Sequence, residues 1–490
     1  MKKLPEFPGR GGDTAWLAAA VLFALALRAF FFSALTGYDE FAYARIAGDI
    51  ADGTFRFRDV SGYYGFRYFV TFPAALAHKL VGQTPYSAAA WPLLCSLGNT
   101  ALAYFLGKEL FGPRAGTLAA FFQAFLPISV IFGTMLYPDE ILVFWTGLSS
   151  LFFLKGSRIP GRWGGAVFFA LSGLCVGLGW HTRLNSAVML LVYAVWILRS
   201  GPRPAHFALA GGFLSLLIPD WAAGAALAGD PLFSLKSQLA KLSADFNIAP
   251  RGHLIYLRGL LGIDLYGLAL FGFYFYFFAA AAFTAARRKE FGRLWLPLTW
   301  FAIVLAYLEF GPSSLSPYQP VHKELRFLSM AFFPVILTAA YFVSGLEAAR
   351  SRAMAAAFLL LTSAGASWKM SVYRADEAAP FRLAAAYLKD RSPSAVYADG
   401  ALGNSLGYYL RDRHKEPYYR GAAAGEGFIR PLAAALSAPP GSCIASEVPE
   451  GSPVGDSGRP SPAPLSLEKG PGELFVVPGG ARIYCFKQAI

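Results

Sequence analysis

Two pairs of adjacent carboxylates are the residues of this chain whose type and position could do chemistry. Asp39 and Glu40 follow the first apolar segment, and Asp139 and Glu140 follow Pro138 after the third. A carboxylate can take the proton from a hydroxyl group as that hydroxyl attacks, and such general-base help is worth about 10²–10⁴-fold in rate. Both pairs are therefore candidates for activating an acceptor hydroxyl or for orienting it.

A dense mixed-charge run supplies the opposite kind of group. Residues 322–328 read His-Lys-Glu-Leu-Arg-Phe-Leu. Cations placed where charge develops on a leaving phosphate stabilise the transition state. The planar arginine fork can bind two phosphate oxygens at once. His322, Lys323 and Arg326 are therefore candidates for binding a phosphate, with Glu324 between them.

Each of these sequence patterns can also be explained by structure alone, without a catalytic or binding role. An acid that directly follows a membrane helix is often a solvated residue at the interface. The Pro138-Asp139-Glu140 string could simply begin a helix, because proline suits the first position and acids suit the positive end of the helix dipole. The run at 322–328 could be an ordinary charged loop.

The elements that must position these residues are membrane helices. Hydrophobic residues make up 56% of the chain and charged residues only 15%, whereas soluble domains carry about 25% charged residues. A bilayer core needs about 20 apolar residues per helix. The apolar segments centre on 15–35, 87–107, 115–136, 141–154, 164–180, 186–198, 206–228, 265–286, 294–310, 327–346 and 353–368. The predicted fold is an α-helical polytopic membrane protein of about eleven transmembrane helices.

Charge asymmetry orients these segments. With the N-terminus inside, Lys and Arg clearly outnumber Asp and Glu in the cytoplasmic stretches, as the positive-inside rule requires. The net charge of +13 is explained in this way, and no basic stretch interleaves with aromatics to suggest a nucleic-acid partner. The first segment is predicted to be a retained anchor, with Arg28 facing the bundle or snorkelling. All the candidate residues then lie on the outer side.

The composition changes after about residue 370. A short amphipathic helix is predicted at 380–388, a strand at 395–398, a Pro/Gly/Ser-rich stretch at 438–471 and a hairpin at 473–486. We therefore predict a transmembrane domain at 1–370 and a small extracytoplasmic α/β domain at 371–490. Cys443 and Cys485 both fall in that outer domain, where a disulfide could persist, and we treat their bridge as a hypothesis.

The order of these motifs resembles the GT-C glycosyltransferase superfamily. The resemblance rests on Asp-Glu after the first segment, Pro-Asp-Glu after the third and His-Lys-Glu-Leu-Arg-Phe-Leu before the tenth, and it covers about residues 15–370. The last motif looks most like lumenal mannosyltransferases that use dolichyl-phosphate-mannose. The first loop and the outer domain look more like bacterial relatives of protein O-mannosyltransferases and the aminoarabinose transferase of lipid A.

The resemblance implies an inverting, GT-C-like transfer of mannose or a related sugar from a polyprenyl-phosphate donor to a hydroxyl of a glycan, lipid or protein. The Ala/Gly/Arg-rich composition suggests a prokaryotic plasma membrane as the location, where lipid surrounds the chain, and the loop charges place the active site outside. The catalytic acids would be Asp39 and Glu40. Asp139 and Glu140 would position the acceptor or hold a divalent metal such as Mg or Mn, as in some members. The donor-phosphate region would be His322, Lys323, Glu324 and Arg326.

Three other functions remain open on the sequence. A transporter or flippase of lipid-linked glycans would carry ionisable residues at mid-depth in the membrane, whereas these acids sit at segment ends. A ligase or polymerase of such glycans would rely on Arg and His in a large outer loop. A receptor that only binds would use the C-terminal domain as its ligand module. No WWDYG-type motif is present, so oligosaccharyl transfer to asparagine is not expected.

Overall fold

The computed structural model describes most of the chain up to residue 391 and parts of the remainder. The described residues are 11–33, 35–36, 39–57, 62–245, 254–289, 291–315, 318–391, 396–397, 405–406, 408–410, 429–430, 443–447, 472–477 and 481–486.

Helices dominate these residues. They are α1 Gly11–Phe30, α2 Asp39–Ala51, α3 Tyr68–Val81, α4 Pro85–Phe111, α5 Pro113–Phe125, α6 Pro127–Phe132, α7 Pro138–Arg158, α8 Ala166–Trp180, α9 Val188–Ser200, α10 Phe207–Ala228, α11 Phe233–Asp245, α12 Ile255–Leu260, α13 Leu265–Phe271, α14 Tyr274–Arg288, α15 Phe291–Phe310, α16 Phe332–Ser344 and α17 Ala349–Arg391. Short 3₁₀ segments occupy Leu184–Ala187, Pro204–His206 and Leu325–Ala331.

Every predicted apolar segment overlaps at least one of these helices, and the protein is an integral membrane protein. By length and composition, four of the described helical stretches could cross a bilayer: Pro85–Phe111, Pro204–Ala228, Phe291–Phe310 and Leu325–Ser344. The pair α13 and α14, bent by 79°, would be a fifth. Shorter apolar helices cover Thr14–Phe30, Ala166–Trp180 and Leu184–Ser200. The total of eleven spans stays a prediction.

Two segments predicted as single helices are broken in the structure. The segment 115–136 divides at Leu126 into α5 and α6, and Pro127 begins the second helix. Proline lacks the amide proton that an uninterrupted helix needs, and it suits a first helical position. The segment 265–286 divides at Gly272, whose φ of 58° lies in the left-handed region that glycine enters most easily.

The helical bundle packs closely where small residues meet. A Cβ atom built at Gly173 of α8 would lie 1.9 Å from the Leu209 carbonyl oxygen of α10. The reciprocal Cβ atom at Gly212 would lie 2.0 Å from the Ala170 oxygen. Such contacts let membrane helices approach each other at backbone distance, so larger residues at either glycine would force α8 and α10 apart.

A buried arginine ties α1 to the bundle, as the sequence predicted. Arg28 is fully buried. Its Nε donates to Ser96 Oγ at 2.7 Å, its Nη1 to the Ala124 oxygen at 2.9 Å and its Nη2 to Ser129 Oγ at 3.0 Å. Ser129 in turn donates to Glu140 Oε2 at 2.8 Å. A guanidinium in the bundle is thus compensated by polar partners from α4, α5, α6 and α7.

The C-terminal part contains the predicted α/β structure with one difference. Helix α17 continues through the predicted domain boundary, so the helix expected at 380–388 is the end of a 43-residue helix. The strands are β3 Val396–Tyr397, β4 Ile429–Arg430, β5 Cys443–Glu447, β6 Gly472–Val477 and β7 Ala481–Phe486, after a separate hairpin of β1 Pro312–Leu315 and β2 Tyr318–Pro320. The five-stranded sheet has the order β4-β3-β5-β7-β6.

Strands β6 and β7 form the hairpin predicted at 473–486. In the neighbouring antiparallel ladder of β5 and β7, Cys443 lies opposite Cys485. Cys443 is disulfide-bonded, whereas Cys95 and Cys175 are free and buried. The strand register is therefore compatible with the disulfide between Cys443 and Cys485 that we hypothesised for an outer domain. The division at residue 370 itself stays a prediction.

A second buried ion pair holds the 322–328 run in place. Lys323 Nζ donates to Glu309 Oε2 at 2.8 Å, and both side chains are at most 3% exposed. The same carboxylate accepts the backbone amides of Leu254, Tyr256 and Leu257 at 2.9–3.3 Å. Glu309 therefore satisfies the unpaired amides at the start of α12 and anchors the loop before α16.

We expect Lys323→Met to destabilise the protein strongly, because it leaves the Glu309 carboxylate buried without its cation. Breaking a buried pair in this way costs about 3–5 kcal/mol. The measurement is the thermal midpoint of the purified protein in detergent, followed by size-exclusion chromatography. Lys236→Met is the matched control, because the Lys236–Asp230 pair at 2.6 Å is largely exposed. Equal midpoints for the two variants would contradict the anchoring role.

Candidate functional site

A cavity of about 520 Å³ lies where the ends of several helices meet. Its walls come from the start of α2, the loop before α3, the turn between α8 and α9, helix α11, the end of α15 and the loop before α16. The lining residues are Asp39, Tyr63, Tyr64, Arg67, Trp180, Arg183, Leu184, Asn185, Ala187, Val188, Leu235, Gln238, Leu239, Tyr307, Pro312, Val321, His322, Glu324, Arg326 and Phe327.

Asp39 is the carboxylate of the first pair that faces this cavity. Its Oδ1 accepts from the Tyr64 hydroxyl at 2.7 Å, and its Oδ2 accepts from Arg326 Nη2 at 3.0 Å. A quarter of the side chain remains exposed. A carboxylate offers about four acceptor positions, so a further hydroxyl can reach it. The start of α2 adds the favourable end of a helix dipole.

Glu40 faces the protein interior instead. Its Oε1 accepts from the backbone amide and the hydroxyl of Thr36, each at 2.5 Å, and the Tyr137 hydroxyl also bonds to it. The side chain is fully buried and does not line the cavity. Consecutive residues of a helix point about 100° apart, so α2 separates the two acids that are adjacent in sequence.

The second acidic pair is divided in the same manner at the start of α7. Asp139 is buried, and its Oδ1 accepts from Arg183 Nη1 at 3.0 Å. Arg183 also lies over the Phe327 ring, 3.6 Å from its centroid, and lines the cavity. Asp139 thus orients a cavity residue and does not itself line the wall.

Glu140 belongs to the polar network inside the bundle. Its Oε2 accepts from Asn99 Nδ2 at 3.0 Å and from Ser129 Oγ at 2.8 Å. Within the described part of the chain, no three His, Cys, Asp or Glu side chains are grouped so as to hold a metal ion. Asp139 and Glu140 have different partners in the structure, and a role of the two in holding a divalent metal stays a prediction.

The 322–328 run places three of its four candidate residues at the cavity. Glu324 bonds His322 Nε2 through Oε1 at 3.1 Å and Arg326 Nε through Oε2 at 2.5 Å. Burial alone would raise the pKa of Glu324, but Arg326 and the His322 hydrogen bond hold that pKa well below its usual range. Glu324 is therefore an anion held between Arg326 and His322. Lys323 points away into its pair with Glu309.

Arg67 is a cavity residue that the sequence reasoning missed. It is only 5% exposed, it donates to the Tyr43 hydroxyl and its guanidinium lies over the Tyr63 ring at 4.2 Å. Among the described residues, no carboxylate forms an ion pair with it, and its Nε has no hydrogen-bond partner. The available signal was the aromatic stretch at 62–68, in which this arginine is the sole charged residue.

The cavity is polar on one side and aliphatic on the other. The charged residues come from α2, the 62–68 loop and the 322–328 run, with Arg183 beside them. The aliphatic residues come from the α8–α9 turn, α9, α11 and the β-hairpin region, and they are Leu184, Ala187, Val188, Leu235, Leu239, Pro312 and Val321. A ligand with a charged head and a hydrocarbon tail matches this division.

Part of the chain matches a known protein family. A family model described as dolichyl-phosphate-mannose-protein mannosyltransferase matches residues 68–219, a range that runs from α3 to α10 and includes Asp139 and Arg183. A search of curated proteins found no match.

Solved structures with the same fold cover nearly the whole chain. ArnT from Cupriavidus metallidurans bound to undecaprenyl phosphate has a TM-score of 0.70 at 14% identity, covering 96% of this chain and 98% of that one. The apo form of the same protein has a TM-score of 0.68. The archaeal oligosaccharyltransferase AglB from Archaeoglobus fulgidus, in complex with an inhibitory peptide and a dolichol-phosphate, has a TM-score of 0.53 at 13% identity, covering 89% and 69%.

Three observations agree with one another. They are the order of the acidic and basic motifs, the family match over 68–219 and the fold that the chain shares over nearly its whole length. The chain has the fold of ArnT and AglB, and its residues 68–219 match the dolichyl-phosphate-mannose-protein mannosyltransferase family.

Proposed function

We propose that this enzyme transfers mannose or a related sugar, with inversion, from a polyprenyl-phosphate donor to a hydroxyl acceptor. The observation that carries the proposal is the cavity itself, whose lining combines two acids, Asp39 and Glu324, with basic and aliphatic side chains. Asp39 suits an acceptor hydroxyl, the basic side chains suit a phosphate, and the aliphatic side chains suit a lipid chain. The undecaprenyl phosphate of ArnT and the dolichol-phosphate of AglB are lipids of this class.

The donor phosphate is assigned to Arg67, Arg326 and His322. Arg67 is buried at the cavity wall, and no carboxylate of the described residues forms an ion pair with it. Arg326 bridges Asp39 and Glu324 and can turn part of its planar fork toward phosphate oxygens. Lys323 and Glu324 are assigned supporting roles, one anchoring the loop through Glu309 and the other aligning Arg326.

The transfer step needs one base and one leaving group. The acceptor oxygen attacks the anomeric carbon on the face opposite the phosphate, and its proton passes to an Asp39 oxygen. The bond between the anomeric carbon and the phosphate oxygen breaks, and the polyprenyl phosphate departs with the electron pair. Arg67 and Arg326 stabilise the charge that develops on that phosphate. A single displacement of this kind inverts the anomeric centre.

The alternatives differ in their products, so one assay separates them. The purified protein is incubated with a hydroxyl acceptor and either polyprenyl-phosphate sugars or polyprenyl-pyrophosphate glycans, and the lipid products are identified by mass spectrometry. Our proposal requires release of polyprenyl monophosphate together with a glycosylated acceptor. A ligase or polymerase acting on pyrophosphate-linked glycans would release polyprenyl pyrophosphate, and a flippase would release neither.

Asp39→Asn is expected to lower the turnover number about 10²–10⁴-fold, since the amide keeps the shape but cannot take a proton. Binding of polyprenyl phosphate to this variant should remain close to that of the wild type. Asp230→Asn is the control, because Asp230 is surface-exposed and paired with Lys236. Near-normal turnover by the Asp39 variant would remove that residue from the role of base, whatever the control shows.

Arg67→Ala is expected to weaken binding of polyprenyl phosphate about 10–100-fold, because a hydrogen bond to a charged group is worth about 1.5–3 kcal/mol. Arg67→Lys should recover part of this loss, since lysine restores the charge without the planar fork. Arg158→Ala, which breaks an exposed pair with Glu109, serves as the control. Wild-type affinity in the Arg67→Ala variant would make Arg67 a purely structural residue.

The cavity and the C-terminal domain are proposed to lie outside the plasma membrane, on the basis of loop charge. Thr54 and Arg162 are exposed and lie in loops predicted to be on opposite sides. A cysteine at position 54 should react with an impermeant thiol reagent in intact cells, whereas one at position 162 should react only after permeabilisation. The reverse pattern would invert the topology and place the site in the cytoplasm.

A further inference from the structure

A carboxylate outside the catalytic set joins three elements around the cavity. Asp220 lies inside α10, directly after Pro219. Its Oδ1 accepts from the Tyr68 hydroxyl at 3.0 Å, and its Oδ2 accepts from the Ser234 hydroxyl at 2.5 Å. Tyr68 begins α3, and Ser234 is the second residue of α11. Hydrogen bonds to an ionised acceptor are roughly twice as strong as neutral ones, so this is a firm connection.

Both donors are adjacent in sequence to residues of the cavity wall. Tyr68 follows Arg67, the buried cation of the polar side, and Ser234 precedes Leu235, which belongs to the aliphatic side. One carboxylate therefore connects the segment that carries Arg67 with helix α11. The Tyr68 ring also contacts His181, with 5.3 Å between ring centroids, which adds the α8–α9 turn to the same group.

Helix α11 depends on this connection more than a core helix would. It has 13 residues, and between 233 and 240 only Ser234 and Gln238 are buried. Its other described side-chain anchor is Phe233, whose ring lies 5.6 Å from Phe57 and 5.7 Å from Phe66. Because little of the helix is buried, the hydrogen bond from Ser234 to Asp220 contributes strongly to the position of its first turn.

The face that α11 presents to the cavity is aliphatic. Leu235 and Leu239 are four residues apart, so they lie on the same side of the helix. Leu184 and Val188 have the same spacing on the 3₁₀ segment and the start of α9, and all four residues line the cavity. The two stripes give the cavity an aliphatic lining that suits a hydrocarbon chain.

We propose that Asp220 is a positioning residue for lipid recognition, which holds α11 as the wall against which the first isoprene units of the donor lie. This inference rests on the proposed function, since it requires a polyprenyl-phosphate ligand. Asp220 touches no reacting atom in this scheme. It acts through Ser234 on the aliphatic wall and through Tyr68 on the segment that carries Arg67.

The test compares the dissociation constants of two lipids that share a phosphate and differ in chain length. Undecaprenyl phosphate and a two-isoprene phosphate are titrated against the full-length protein in detergent, and the ratio of their affinities is the readout. In the wild type the long lipid should bind more tightly. Ser234→Ala and Asp220→Asn should lose about tenfold of that preference, which corresponds to about 1.4 kcal/mol.

Two matched variants accompany this experiment. Ser234→Thr keeps a hydroxyl and should retain the preference. Ser215→Ala removes a hydroxyl from the same helix α10, where Ser215 donates only to the Gly212 oxygen at 2.7 Å, and it should behave as the wild type. At saturating donor, the turnover number of Ser234→Ala should stay within about twofold of the wild type, because the reacting groups are untouched.

An unchanged ratio in both Ser234→Ala and Asp220→Asn would overturn the inference. Equal weakening of both lipids would overturn it as well, because a general loss of structure does not distinguish chain length. A wild-type protein that binds neither lipid would instead contradict the proposed function. The experiment therefore distinguishes an error in the role of Asp220 and α11 from an error in the proposed donor lipid.

Discussion

The need to compensate charge inside an apolar bundle is the constraint on which this structure depends. Burying an isolated ion in such surroundings requires a large desolvation free energy, and removing one partner of a buried pair leaves the other charge without compensation. Arg28 is accordingly surrounded by hydroxyls and carbonyls that lead to Glu140, and Lys323 is paired with Glu309. These contacts bind α1 to the middle of the bundle and the 322–328 run to the end of α15.

The same constraint makes the cavity recognisable. Arg183 has Asp139, and Arg326 has Asp39 and Glu324. Arg67 is buried to a similar degree, yet in the described part of the chain it has hydroxyl and aromatic partners and no carboxylate. Arg28 is likewise held by hydroxyls and carbonyls, but Arg67 differs from it in lining the cavity. The proposed assignment of a phosphate to Arg67 rests on that position.

Helix termini determine where the chemistry can occur. Asp39 begins α2, Arg183 lies in the turn after α8, and Arg326 lies in the 3₁₀ segment before α16. Backbone groups at such ends are not used by the helix itself, and the side chains there can converge from distant parts of the sequence. The contact between Asp39 and Arg326 joins residues 287 positions apart. A site of this kind places side chains from distant segments around one cavity at the ends of rigid helices.

The sequence by itself determined the class of the protein, the positions of its apolar helices and the segments that carry its charges. Composition and apolar run length are properties of local sequence, and so are the hairpin at 473–486 and the acids at helix starts. Proline at 127 and glycine at 272 are residue types that often interrupt helices, so the two breaks have a local cause in the sequence. No local pattern indicates that α17 continues past residue 370.

Only the tertiary structure decided which charged residue of each pair faces the cavity. Each acidic pair consists of two carboxylates that the sequence cannot distinguish. Neighbouring residues of a helix point about 100° apart. The packing of α2 therefore places Asp39 at the cavity wall, and the packing of α7 places Asp139 beside Arg183. Lys323 likewise differs from Arg326 only in the neighbour it meets, Glu309 rather than Asp39. Arg67 became visible because burial without a compensating carboxylate is a property of three-dimensional surroundings, which no local pattern records.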